Sequence, residues 1–537
     1  MTASGIHINR MSAISRATLV LAIFTLLSRL LGLVRDLILA GTFGVGAELD
    51  TYNAAFRIPD FLFNFFILGT LTVAFLPIFN RDLMVDKERA ERFAGAVYAL
   101  SVAGMAVVSV LVFAFASPLV QGLFPSFSPE QQALTAKMTR LMLLSPILFT
   151  ASNMAAVLLQ SFNKFLPTAL APILYNFGII IGALVFSQYL GLMGLAYGVI
   201  LGAIMHAVAN IVPLKTLPLK LYFSFNTKLV EFKELWRLYL PRLFAFDTFY
   251  LSLFIATLVA QGLAAGSITA FTFAHVLYGV PAGIFAISFA VAAFPALSQA
   301  WAVRQYQDFK SIVWRTSLQI LYFIVPISAL MFIMRLQIVR LVYGRERVGW
   351  EETILIAQTL GVLLISLFAQ SLIPLLARSF YATHNTAIPV LVSLITTAIN
   401  VILAIRLSQT YGVVGIGIAT TIAAITGFII LLFLLRLRVG RVGALTITER
   451  LLKILISTIV AATGAYAALY TVAPAVNTGT ALGIFIQISV ATVLALIIYL
   501  ITGLLLNLPE AKTVVRRTGS WLKALARPVD ALVSYIE

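Results

Sequence analysis

Arg29, Arg35 and Asp36 lie inside an apolar stretch running from about Ala17 to Thr42, and Asp50, Asn53, Arg57, Asp60 and Asn64 follow at the start of the next. The first stretch is long enough to cross a bilayer, which takes about 20 residues. A charge near the middle of a spanning helix costs about 2.5–3.5 kcal/mol even on lenient insertion scales, so such side chains face a water-filled cavity or an opposite charge. The second set is spaced 3, 4, 3 and 4 residues apart, which lines one helix face. The other faces are Phe, Leu and Ile, so the stripe points into protein or water. Guanidinium, carboxylate and amide groups held in an apolar frame bind a polar or charged solute without making or breaking bonds. A blander reading stands beside this one at two places. Arg57 and Asp60 satisfy each other between packed helices, or Arg35 clasps Asp36 at a helix end while Arg29, Gly32 and Asp36 share another face. Pro59 interrupts the backbone ladder in the middle of the stripe and predicts a kink.

Elsewhere the signals are thinner. Arg242 opens the seventh apolar stretch just after Pro241, with Asp247 deeper in it, and Thr272, His275 and Gly279 share a face of the eighth. A lone His on an apolar helix is more often a packing residue than a ligand. The four histidines (His7, His206, His275, His384) match no metal-ligand spacing, and there is no cysteine for a disulfide or thiolate site. No Gly-rich phosphate loop, metalloprotease helix pair or nucleophile elbow is present, and no acidic cluster suggests a metal-dependent phosphotransferase. The chain reads as a non-enzyme without a cofactor, and ATP use has no support. Its energy comes from an ion gradient, the membrane potential or downhill consumption of product.

The elements that must position these residues follow from composition. Of 537 residues 61% are hydrophobic and 11% charged, which predicts an all-α polytopic membrane protein with no soluble domain of useful size. Fourteen spans are expected, near 17–42, 52–79, 93–120, 138–161, 167–189, 192–213, 236–260, 268–299, 312–334, 353–379, 387–408, 412–435, 451–473 and 480–507. The net charge of +17 is mainly orientation and not nucleic-acid binding. With the N-terminus cytoplasmic, most Lys and Arg fall on the cytoplasmic side, as positive-inside asymmetry requires. Arg335, Arg340, Arg345 and Arg347 are the exception, flanking a short interfacial segment at Leu336–Tyr343. The N-terminus lacks a signal-peptide pattern.

An internal repeat recurs at an offset of about 220 residues, the mark of a parallel-repeat transporter. Ile58-Pro59 returns at Val280-Pro281, Phe75-Leu76-Pro77 is echoed by Phe294-Pro295, and Gly191–Ala196 returns at Gly412–Gly417. Six spans per copy predict two lobes related by a pseudo-twofold along the membrane normal. The expected divisions are an N-lobe over 1–215, a C-lobe over 216–440, two further spans over 441–507 and a basic amphipathic tail over 508–537. The basic connector Lys215–Arg237 joins the lobes on the cytoplasmic side.

The run Ser28-Arg29-Leu30-Leu31-Gly32-Leu33-Val34-Arg35-Asp36, then Phe43-Gly44, Asp50, Ala55-Phe56-Arg57-Ile58-Pro59 and Ala74-Phe75-Leu76-Pro77, resembles the lipid II flippase family (MurJ/MviN) in order and spacing. That family lies within the multidrug/oligosaccharidyl-lipid/polysaccharide exporter superfamily. The resemblance implies a V-shaped transporter of the bacterial cytoplasmic membrane, with both termini cytoplasmic. Its central cavity is implied to bind the diphosphate and sugar head of undecaprenyl-linked peptidoglycan precursor, and a groove from the last two spans to hold the lipid tail. Arg29 and Arg35 are implied to contact the anionic head, and Asp50 and Arg57 to line or gate the cavity. Membrane lipids and cell-wall synthesis enzymes are the further partners. The chain departs from the family pattern in three places. Phe63-Asn64 and Leu68 stand where a basic pair and an acid are usual, and His275-Val276 where Asp-Arg is usual. Asp247 and Asn400 fit a cation site of some members, but Ala404 stands where a second acid belongs. Arg57, Arg242 and His275 are the candidates to take over part of the binding. Export of another lipid-linked oligosaccharide or a drug-type molecule, or a non-transporting scaffold for envelope assembly, are the alternatives. An even count of Arg29, Arg35 and Arg57 against Asp36, Asp50 and Asp60 disfavours cation export.

Overall fold

The computed structural model describes residues 24–66, 71–226, 230–243, 248–344, 346–440 and 444–516. Among these residues all regular structure is helical. The chain divides into two compact units. One holds the described residues up to Phe273 with Val342–Ile356 and Thr397–Ala419; the other holds Ala274–Leu341, Ala357–Thr396 and the described residues from Thr420 onward.

The first unit is built from α1 (residues 24–43), α2 (Ala47–Phe66), α3 (Leu71–Val85), α4 (Lys87–Ala114), α5 (Ala116–Leu123), α6 (Pro129–Met142), α7 (Leu144–Ser161), α8 (Leu166–Leu190), α9 (Met193–Ile211), α10 (Val230–Leu243) and α11 (Thr248–Ala260), with the start of α12 (Ser267–Ala302). Local sequence sets several of the helix starts. Asp86 accepts from the Arg89 amide at 3.1 Å to begin α4. Ser128 and Gln131 cap α6 reciprocally, with Pro129 in its first turn. Two cores form inside the unit. One stacks Phe75, Phe79 and Phe93 against Phe232, and the other closes Ile58, Phe124 and Phe271 around small residues such as Ala54, Ala256 and Ala419. Helices α8 and α9 meet backbone to backbone. A Cβ added at Gly178 would lie 2.3 Å from the Gly202 Cα, and one at Gly182 would lie 2.5 Å from the Gly198 Cα. Lipid supplies no hydrophobic drive between helices, so such small-residue seams provide the packing instead.

The second unit contains the rest of α12, α13 (Tyr306–Ile333), most of α14 (Arg335–Tyr343), parts of α15 (Trp350–Ile365) and α17 (Ala387–Val439), α16 (Leu367–Ala382), α18 (Ala444–Val472) and α19 (Ala481–Leu505). Its core joins Leu318 and Tyr322 of α13 to an alanine seam, Ala461 and Ala465 of α18 with Ala491 and Ala495 of α19. The Tyr499 hydroxyl donates to the Tyr322 carbonyl at 2.8 Å inside it. On the outer faces Ile459, Leu482, Phe485 and Leu505 are exposed, as lipid-facing positions are.

Among the described residues nine helices are long and apolar enough to cross a membrane, or ten when α15 and α16, bent by 47° at Ser366, count as one. The difference from the fourteen expected has identifiable sources. The 53-residue α17 counts once, although Gly412 breaks its helical geometry with φ +55 between the two spans expected there. The first, second and seventh spans run into residues outside those described, at 1–23, 67–70 and 244–247. The short segment expected at Leu336–Tyr343 is helical, within α14. Arg347 reaches back to donate to the Thr42 carbonyl at 2.7 Å, and Arg345 lies outside the described residues.

Candidate functional site

The polar residues singled out near the N-terminus all belong to the first unit, and the structure sorts them by partner. Arg35 holds Asp36 through two bonds, from Nε at 2.9 Å and Nη2 at 2.7 Å, and its Nη1 donates to Asn176 Oδ1 of α8 at 2.9 Å. Asn176 in turn donates to the Pro172 carbonyl at 3.0 Å and the Ser28 carbonyl at 3.4 Å, so it ties α1 to α8. Asp36 is buried at 4% exposure and its Oδ2 has no partner. The clasp between Arg35 and Asp36 is therefore present, extended by an asparagine 141 residues away. Arg29, six residues earlier on α1, is half-buried. Among the described residues it makes no hydrogen bond or ion pair.

On α2 each stripe residue is held differently. Asp50 is buried and accepts from the Gly266 amide at 2.7 Å, the Thr269 amide at 2.8 Å and the Thr269 hydroxyl at 2.7 Å. It thus sits at the N-terminus of α12, where free amides and the helix dipole stabilise a carboxylate. Gly266 has φ +90, and a Cβ there would fall 2.7 Å from the Val45 carbonyl oxygen, so only glycine fits this approach. Asn53 donates to Thr269 Oγ1 at 3.2 Å. Arg57 is buried, and its guanidinium donates to Thr257 of α11 at 2.9 Å and Thr272 of α12 at 3.1 Å. No carboxylate lies within ion-pair distance of it among the described residues. Asp60 accepts from Asn64 Nδ2 at 2.9 Å. The alternative in which Arg57 and Asp60 satisfy each other by direct bonding is not what the structure has. Asp36 is ion-paired to Arg35, and Asp50 and Asp60 accept from neutral donors, whereas Arg29 and Arg57 have no carboxylate within ion-pair distance among the described residues.

The remaining candidates separate from this set. Arg242 is on α10, and Asp247 lies outside the described residues. Asn400 is buried and donates to Ser252 at 3.3 Å, with its Oδ1 unpartnered, and Ala404 is a core residue of the first unit. His275 belongs to the second unit, fully buried beside Tyr278 at 5.8 Å between ring centroids. Among the described residues no three His, Cys, Asp or Glu side chains converge as metal ligands. Outside the spans, Arg81 donates at 2.9 Å to both Glu234 and Asp82, and Arg89 donates to Glu231. The bond to Glu234, then that to Asp82, raises the Arg81 guanidinium above its ordinary pKa. These pairs fasten α10, part of the basic connector, to α3 and α4. Sequence reasoning passed over Asn176, Thr257 and Thr269; the only signal was a neutral polar residue in an otherwise apolar span.

A family model described as lipid II flippase MurJ matches residues 39–500. The chain belongs to this family. The match takes in the α2 stripe and begins after Arg29, Arg35 and Asp36. Among its relatives, the probable lipid II flippase MurJ of Rickettsia prowazekii is 26% identical over 412 residues, 76% of this chain and 81% of that protein. The one of Thermotoga maritima is 28% identical, covering 78% and 85%. A solved structure of lipid II flippase MurJ in an inward closed conformation aligns with TM-score 0.74 at 25% identity, over 90% of this chain and 99% of that one. An inward-facing multidrug resistance MATE transporter of the MOP superfamily aligns with TM-score 0.63 at 17% identity, which shows the shared fold alone. The MurJ family resemblance of the sequence is thus confirmed, and with it a multi-pass helical membrane transporter.

Proposed function

We propose that this protein moves undecaprenyl-diphosphate-linked peptidoglycan precursor, lipid II, from the cytoplasmic to the outer leaflet of the bacterial inner membrane by alternating access. The observation that carries this reading is a pair of guanidinium groups, Arg29 and Arg57, with no carboxylate within ion-pair distance among the described residues. Asp36, Asp50 and Asp60 each accept hydrogen bonds from other groups. A guanidinium stays charged at any working pH and pairs bidentately with phosphate, so these groups suit a diphosphate head. The even balance of Arg29, Arg35 and Arg57 against Asp36, Asp50 and Asp60 disfavours a cation exporter. Family membership, with relatives named as lipid II flippases, supports the substrate.

Around this core the reading extends to fourteen spans with both termini cytoplasmic, two six-span lobes, and a lipid-tail groove from α18 and α19. It also includes energy from an ion gradient or the membrane potential, and hand-over to the enzymes of cell-wall synthesis. Arg35, Asp36 and Asn176 position α1, and Arg29 and Arg57 bind the head. Complementation of a conditionally flippase-depleted bacterium tests it: growth is restored by the wild-type chain and lost with Arg29→Ala or Arg57→Ala at equal expression. A well-expressed wild-type chain that fails to restore growth overturns the assignment of lipid II.

A further inference from the structure

The second unit carries a pocket that the transport reading does not use. It opens where the start of α13 meets the end of α17, has a volume of about 160 Å³, and is floored by Phe309, Trp314, Leu432 and Leu435. Lys310 and Arg436 stand in its wall. Arg436 is exposed, and a Cβ added at Gly440 would lie 3.3 Å from the Lys310 Nζ, which places that ammonium over the end of α17. Phe433 and Leu437, each next in sequence to the lining residues Leu432 and Arg436, are exposed apolar side chains on the same end of α17. Trp301 lies under the Arg438 guanidinium, 5.9 Å from the ring centroid. Tryptophan beside basic residues at the end of an apolar helix marks the membrane–water interface.

Size and charge together select the occupant. A cavity of this volume admits something about as large as benzene, well short of the roughly 300–1,000 Å³ of a small-molecule site. It therefore takes a short apolar piece of a ligand whose remainder lies outside, along Phe433 and Leu437. The two cations select a negative head. We propose that this pocket binds an anionic phospholipid, with its phosphate at Lys310 and Arg436 and the first methylenes of an acyl chain on the Phe309–Trp314–Leu435 floor. Basic pockets between helices at the cytoplasmic surface bind such heads. That the lipid comes from the cytoplasmic leaflet rests on the orientation proposed above; the existence of the site does not.

The test uses the full chain, purified in detergent and stripped of lipid, with native mass spectrometry during titration by phosphatidylglycerol or phosphatidylcholine. Phosphatidylglycerol is expected to bind preferentially. Lys310→Ala and Arg436→Ala are each expected to weaken it about fivefold and the double variant about 25-fold, with phosphatidylcholine unaffected. Glycerol 3-phosphate should not displace the bound lipid. The single variants Lys310→Gln and Arg436→Gln carry the comparison if the double variant does not accumulate. Unchanged phosphatidylglycerol binding in the variants overturns the proposal, as does equal affinity for phosphatidylcholine. Displacement by glycerol 3-phosphate replaces it with a soluble-anion site. Loss of polyprenyl-diphosphate binding with phosphatidylglycerol unchanged assigns the pocket to the transported lipid instead. Because lipid occupancy is read directly, none of these outcomes depends on whether the protein translocates lipid II.

Discussion

Replacing Arg35 and replacing Arg29 should have opposite signatures, although the two arginines are six residues apart on one helix. Arg35→Ala removes two charge-assisted bonds to Asp36, at 2.7 and 2.9 Å, and the bond to Asn176 at 2.9 Å. Asp36 is almost fully buried and already has one unpartnered oxygen, so the carboxylate is left uncompensated. Breaking a buried pair from one side costs about 3–5 kcal/mol, and the stranded Asn176 oxygen adds about 1–3 kcal/mol. The first figure alone is a factor of about a hundred to a few thousand in a folding equilibrium. Among the described residues no acid lies within ion-pair distance of Arg29, so Arg29→Ala should leave stability near wild type while abolishing transport. The assay is a thermal melt of purified variants beside complementation at matched expression. Arg35→Ala should melt well below wild type, and Arg35→Ala with Asp36→Ala should recover most of the loss because the orphan charge is gone. An Arg35→Ala variant as stable as wild type refutes the clasp. A stable Arg29→Ala, Arg57→Ala double variant that still complements refutes the head-binding role.

Three further outcomes follow from the geometry. Asp50→Ala leaves the Gly266 and Thr269 amides without an acceptor and should lower the melting midpoint, at about 1.5–3 kcal/mol for a hydrogen bond to a charged group; Asp50→Asn, which keeps one acceptor, should fall between, and an Asp50→Ala variant that melts like wild type removes the α2–α12 tie. Gly266→Val should be destabilised by at least about 1–3 kcal/mol, from a bulky side chain at φ +90 and its collision with the Val45 carbonyl; normal yield and stability would contradict that approach. Gly198→Leu should part α8 from α9 and cut the yield of folded protein, whereas Gly104→Leu, where a Cβ meets nothing within 4 Å, should be silent; equal behaviour of the two argues against the seam.

What the sequence disclosed was what lies along one helix. The 3-4-3-4 spacing of Asp50 to Asn64 and the adjacency of Arg35 and Asp36 are properties of consecutive turns, so the stripe and the clasp were both legible. The partners were not. Asp50 is met by backbone amides 216 and 219 residues away, and an amide carries no mark in the sequence. Arg57 is met by threonines, which also return a bond to their own helix, Thr257 to the Leu253 carbonyl and Thr272 to the Ile268 carbonyl. A threonine in an apolar span reads as self-satisfied for that reason. The even count of acids and bases likewise left the pairing open, because the fold decides which charges meet: Arg35 meets Asp36, whereas Arg57 is held by threonines. The helical class was legible because apolar runs of spanning length have few other solutions in lipid.

The threonine partners of Arg57 bear on turnover. A carrier must let go of its cargo as readily as it takes hold, and a guanidinium locked to a carboxylate would first have to break a strong bond before engaging a phosphate. Two hydroxyls hold the Arg57 fork in place as neutral acceptors, which a charged oxygen outcompetes and to which the side chain returns once that oxygen leaves. Much of the cost of taking the cation out of water and fixing its direction is met when the chain folds, so less of it falls on each encounter. Thr257→Val and Thr272→Val together would leave the charge but remove its resting place, slowing the reset of the site and not its first capture of substrate.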